Sequence, residues 1–225
     1  MIVSFQSYEQ YRTPRSYEWM MRIGDPRTPP VLFVPPLFEE LNRTRALIAG
    51  IMRRLAADGH GCWLPDLGGT SESIAPLEAM SWDDWRGDVA AAAEHVATAS
   101  GKTPLLASIR GGALLDDEAP AHCWWRFAPV AGASLARDLD RASAAGGAAW
   151  AGYPASPGLR EALAGAPVAC VSPLRTLRLA SDPGDADWKV EGPSLWRRSE
   201  PGYSAELVEV LARDIAEWRR SCAAS

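Results

Sequence analysis

The sequence predicts an α/β fold, a mostly parallel sheet with helices on both faces. Three observations carry that expectation. Apolar strand-like runs alternate with helix-like segments through the opening third of the chain, the order from which parallel sheets are built. The segment PLLASIRGGALL at 104–115 reads as an apolar strand, a tight turn of small residues and the start of a short helix. At 225 residues and 47% hydrophobic composition, the chain can bury a sizeable core.

Residues 16–23 form the first strand signal, closed by Gly24 and Pro26. Val31–Val34 is a continuous apolar run, as expected of a strand covered on both faces, and Pro35-Pro36 ends it. From Asn42, a candidate N-cap, to about Ala57, apolar residues recur at helical spacing. Gly59 stops that helix, and Gly61–Leu64 starts a strand that runs into the turn-rich loop 65–73. Ser81 and Asp84 form a capping box for a helix with Trp82, Trp85, Val89 and Val96 on one face. Their 3.6-residue period favours core contacts over a cofactor stack. The strand that opens the 104–115 segment follows, then strand signals at 123–130, 174–180 and near 188–191, and an amphipathic helix runs from about 205 to 219 with Leu207, Leu211, Ile215 and Trp218 on one face. The Ala- and Gly-rich stretch 131–163 fits a small lid inserted into a single domain spanning 1–225.

Composition narrows the function classes. A net charge of −5 with interspersed signs provides no broad positive field, so nucleic acid is not an expected partner. Cys62, Cys123, Cys170 and Cys222 lie far apart without a paired spacing or a nearby His, so no metal or other cofactor is expected. The N-terminus lacks a basic segment followed by an apolar core, and no stretch reaches the ~20 apolar residues needed to span a bilayer. A cytoplasmic protein is expected, with homo-oligomerisation left open.

The turn at 108–112 has the small-x-nucleophile-x-small frame of an α/β-hydrolase nucleophile elbow, with Ser108 and Gly112 as the flanks. Its central residue is Arg110. A guanidinium stays protonated at physiological pH and cannot attack a carbonyl. The motifs PPLFEELNRTR at 35–45, LPDLGGTSES at 64–73, WDDW at 82–85, IRGGALL at 109–115 and EGPSLW at 191–196 together resemble the exosortase A system-associated hydrolase 2 family of α/β-hydrolase-fold proteins. The likeness runs in order along nearly the whole chain and is weakest in the lid. It implies an α/β-hydrolase fold, a link to exopolysaccharide and protein-sorting genes, and an Arg at the elbow as a shared trait.

A catalytic triad in this fold follows the order nucleophile, acid, His. The chain has only His60, His95 and His122, all N-terminal to the place where the catalytic His belongs. Asp182 and Asp185 stand where the orienting acid would lie, with no His to orient. Ser108 is a displaced nucleophile candidate, but it sits two residues early and in the strand.

Two roles remain for Arg110. The loop after the Val31–Val34 strand lies beside the elbow in this fold, so Glu39 or Glu40 is expected to pair with it, holding the loop. Alternatively Arg110 projects at a helix N-terminus into a pocket and binds an anionic or sugar ligand, with Glu39, Glu40, Asn42, Ser108 and Trp196 as further contacts. Glu40, Asp66 and Glu72 are candidates for general acid–base work. The functional expectation is a protein that binds or processes an acyl or carbohydrate-derived molecule. The alternatives are a pseudoenzyme working through protein contact and an esterase with an unrecognised nucleophile.

Overall fold

The computed structural model describes residues 6–144 and 150–223. Its strands are β1 (Gln6–Arg12), β2 (Tyr17–Ile23), β3 (Pro30–Val34), β4 (Gly61–Pro65), β5 (Leu105–Ile109), β6 (Cys123–Phe127), β7 (Leu174–Leu179) and β8 (Trp188–Val190). They join in one sheet in the order β1-β2-β4-β3-β5-β6-β7-β8. β2 runs antiparallel to β1 and β4, and from β4 to β8 every pairing is parallel.

The apolar runs follow from burial on both faces. In β3, Val31 and Phe33 join one core cluster while Leu32 and Val34 join the other, so the period-2 pleat leaves no position for a polar side chain. Helices α1 (Glu39–Ala57) and α5 (Ala205–Ala223) cover the first face through Leu47, Ile51 and Leu55 and through Leu207, Leu211 and Ile215. Helix α2 (Trp82–Ser100), with α3 (Gly132–Ala144) and α4 (Pro157–Gly165), covers the second. Each fully buried Leu or Ile contributes about 2 kcal/mol to holding these layers together.

Three local expectations change. Helix α1 begins at Glu39, not Asn42. Phe38 occupies the N-cap with φ 56° and no side-chain cap, and Glu39 and Glu40 in the first turn favour the positive end of the helix dipole instead. Beyond β5 the chain forms only a five-residue 3-10 turn, Arg110–Leu114, so Arg110 does not stand at an α-helix N-terminus. Strand β1 is missed because Tyr11 is its one buried apolar side chain, the partly buried Ser7 and Glu9 being polar, which weakens the apolar alternation. The Ser81–Asp84 capping box is formed in full. The stretch 131–163 contains α3 and most of α4, which pack on each other; residues 145–149 of the expected lid lie outside the described residues.

The loop after β4 is fastened to α2 and β1. Trp85 donates its indole N–H to Gly68 O at 2.8 Å, Gly68 N–H donates to Asp88 at 2.9 Å, and Tyr11 donates to Asp66 O at 2.8 Å. Burial pushes the Asp88 carboxyl up to about 6, with the Gly68 N–H opposing and Glu18 and Asp84 adding to the rise. A folded-state value above the unfolded ~3.9 means that this group favours the fold below about pH 4 and loses that contribution as pH rises through 6. Asp88→Asn can still accept from Gly68. Urea melts should show it gaining about 2 kcal/mol on the wild type between about pH 4 and pH 7.

Candidate active-site region at the elbow

At the C-terminal end of β5 the backbone turns sharply at Arg110, whose φ of 54° lies in the left-handed region. A bulky residue there is a strained outlier that the surroundings must hold. Space dictates the small flanks. A Cβ on Gly112 would strike Val34 O and lie 2.7 Å from Pro35 O, while one on Gly111 would press on Leu135 at 3.0 Å and Leu37 at 3.2 Å.

The guanidinium is enclosed rather than presented. Arg110 is 7% exposed and Glu40 8%. Arg110 Nη2 donates to Glu40 Oε1 at 2.9 Å, Nε lies 3.2 and 3.3 Å from the two carboxylate oxygens, and Nη1 donates to Ala128 O at 3.2 Å. The Trp196 ring covers it at 4.6 Å from its centroid. Burial pushes the Glu40 carboxyl up, and the charge and hydrogen bonds of Arg110 oppose that push. The geometry is the buried loop-holding pair, made with Glu40 and not Glu39. The expectation that Arg110 lines an open pocket does not hold, because a lone desolvated guanidinium would cost far more than one enclosed by carboxylate, carbonyl and ring.

The remaining candidates separate. Glu39 faces outward, accepting from Tyr153 Oη at 3.1 Å and Asn42 Nδ2 at 3.4 Å. Asn42 lines a smaller cleft with Gly69, Thr70 and Ser71. Ser108 is fully buried and donates to Asp116 at 2.6 Å, and Arg126 clamps that carboxylate at 2.6 and 3.0 Å. It therefore does not line the cavity, and the carboxylate it meets is already clamped by Arg126. Asp66 faces Arg45 at 3.8 Å and lies with Glu72 away from the cavity. Asp182, despite burial, is held below the ordinary carboxylate range by Gly184 N–H and Arg178. His60 and His95 contact Leu55 O and Glu9, respectively.

Above the enclosed pair lies a cavity of about 1070 Å³. Glu39, Glu40 and Trp196 line it, joined by Arg43, Asp138, Arg141 and Arg197, with Leu37, Phe38, Leu135 and Leu139 as apolar wall. Two buried donors on its rim have no hydrogen-bond partner among the described residues, Trp196 Nε1 and Arg43 Nε, the latter 3.7 Å from Glu39 Oε1 in an ion pair. Phe38 fixes one side by edge contacts with Trp85, Trp150 and Tyr153 at 5.2–5.5 Å. Sequence reasoning missed Arg43, although it lies four residues after Glu39 on the same helix face. It also missed Asp138, Arg141 and Arg197, which only the chain path brings to this cavity. Ser143 Oγ, the serine on this cavity, donates to Leu139 O at 2.9 Å and accepts from Ala151 N–H at 2.7 Å.

No protein-family model matches the chain, and no curated protein matches it. Solved structures do. A Burkholderia cenocepacia protein assigned as an aryl esterase has a TM-score of 0.62 at 16% identity, over 97% of this chain and 100% of its own. A thermophilic esterase from Thermogutta terrifontis has a TM-score of 0.59 at 15% identity, over 96% and 99%. An esterase from Pyrococcus furiosus has a TM-score of 0.57 at 12% identity, over 78% and 70%. At these identities the likeness establishes the fold: the chain has the α/β-hydrolase fold. Among the described residues no helix is long and apolar enough to cross a membrane.

Removing one member of the Arg110–Glu40 pair should cost far more than removing both. Glu40→Ala is expected to destabilise by about 3 kcal/mol, because it strands a buried cation. The double variant Arg110→Met with Glu40→Leu should recover most of that loss in chemical denaturation.

Proposed function

We propose that this chain is an α/β-hydrolase-fold binding protein whose elbow-end cavity holds a hydroxylated, carbohydrate-derived ligand without nucleophilic catalysis. The observation that carries this is Trp196 Nε1, a buried donor with no hydrogen-bond partner among the described residues, on the rim of a cavity that also presents Arg43, whose Nε lies 3.7 Å from Glu39 Oε1, and the carboxylates of Glu39 and Asp138. Sugar hydroxyls donate and accept at once, so a wall with both kinds of group suits them. The apolar surface of Leu37, Phe38, Leu135 and Leu139 provides packing for ring faces or an attached acyl chain. The likeness to the exosortase A-associated proteins supports a ligand connected with exopolysaccharide export. In this reading α3 and the segment 150–153 form the lid side of the cavity.

A serine-esterase mechanism has little support. Arg110 fills the elbow, and Trp196 covers it from the chain region after β8 where a catalytic His would stand. Among the described residues no His lines the cavity beside Ser143, and the hydroxyl of Ser143 donates to Leu139 O. A pseudoenzyme with a collapsed site is disfavoured by the open cavity. A fluorophosphonate probe should leave the protein unlabelled. Titration with a panel of oligosaccharides, followed by tryptophan fluorescence, should reveal a binder whose affinity falls about tenfold in Trp196→Phe or Arg43→Gln, the loss expected for one hydrogen bond to a charged or buried donor. Labelling of a serine, or a panel that leaves fluorescence and melting temperature unchanged, overturns the reading.

A further inference from the structure

The parallel strands place the elbow at their C-terminal ends, and a second cavity lies at the opposite end of the sheet. It has a volume of about 500 Å³. His60 stands just before β4, Lys102 shortly before β5 and His122 just before β6, while Arg219 and Arg220 come from the last turns of α5. Among the described residues no Asp or Glu lines it, in a chain whose net charge is −5.

Arg219 is the telling residue. It is 8% exposed, its buried Nε has no partner, and it makes no hydrogen bond or ion pair among the described residues. Burial holds its pKa below the ordinary value, and its named electrostatic neighbours are the thiols of Cys123 and Cys222. Asp58, the carboxylate that acts on His60, is already engaged by Arg54 at 3.0 Å. A basic side chain near a helix C-terminus is favoured by the dipole. That accounts for exposed Arg220, but not for an Arg219 side chain drawn in so far that its Nε is shut off from water with no acceptor. Buried charges are otherwise paired, so the absent partner is an anion. Donors reach the cavity from three strand edges and one helix, and such approach from several directions matches a tetrahedral oxyanion better than a planar carboxylate.

We propose that this cavity binds the phosphate group of a small molecule through Arg219, Arg220 and Lys102. It lies at the far end of the sheet from the elbow cavity, so the proposal stands independently of the function assigned there. The test is thermal melting of the wild type and of variants in about 10 mM pyrophosphate, against sodium chloride of equal ionic strength and against citrate. An anion that binds only the folded state raises the melting temperature. Pyrophosphate should raise it by several degrees more than sodium chloride or citrate does. Lys102→Gln and Arg220→Gln, both at exposed positions, should lose at least half of that rise. Arg219→Met should melt higher than the wild type without anion, since it removes an unpaired buried charge, and should not respond to pyrophosphate. A pyrophosphate effect matched by sodium chloride or citrate, or one undiminished in all three variants, overturns the proposal.

Discussion

The enclosed Arg110–Glu40 pair is the contact on which the elbow end of this molecule depends. It ties β5 to the first turn of α1, to the carbonyl of Ala128 after β6 and to the Trp196 ring after β8. Four segments far apart in sequence therefore meet at one guanidinium. Arg suits this position better than Lys, since its planar fork can engage carboxylate and carbonyl at once while presenting a flat face to an indole. The strained backbone at Arg110 and at Phe38 persists because those partners overdetermine it.

A second buried pair supports the first from below. Asp116 accepts from both Arg126 and Ser108, and Arg126 continues to Ala169 O at 2.7 Å. The hydroxyl that flanks the elbow is thus committed to a carboxylate within the core. The result is a floor of paired charges beneath a cavity rim of further charged side chains, Arg43, Asp138, Arg141 and Arg197.

How much of this was legible depended on how local each signal was. The apolar runs of β3 to β6 and the Ser81–Asp84 cap are written within a few residues, and they appear where the spacing places them. The elbow frame was legible for the same reason: Gly112 is required by the backbone of the adjacent β3. Side-chain direction was not legible. Glu39 and Glu40 are neighbours in sequence, yet a helix points them about 100° apart, and only one can reach Arg110. The start of α1 was misplaced because Phe38 caps it with an unusual φ and no polar side chain. The cationic rim of the cavity was invisible because α3 and the turn after β8 are brought together by tertiary packing alone.

Trp196 also limits how the elbow could be redesigned. Installing a serine-hydrolase triad would need a serine at position 110, a histidine facing it and an acid to orient that histidine. Replacing Arg110 first would leave the buried Glu40 carboxyl without its counter-charge and push it further toward the neutral form, and replacing Trp196 first would uncover the guanidinium. Either replacement made alone passes through a less stable protein, so the residues at the elbow can be exchanged only as a set.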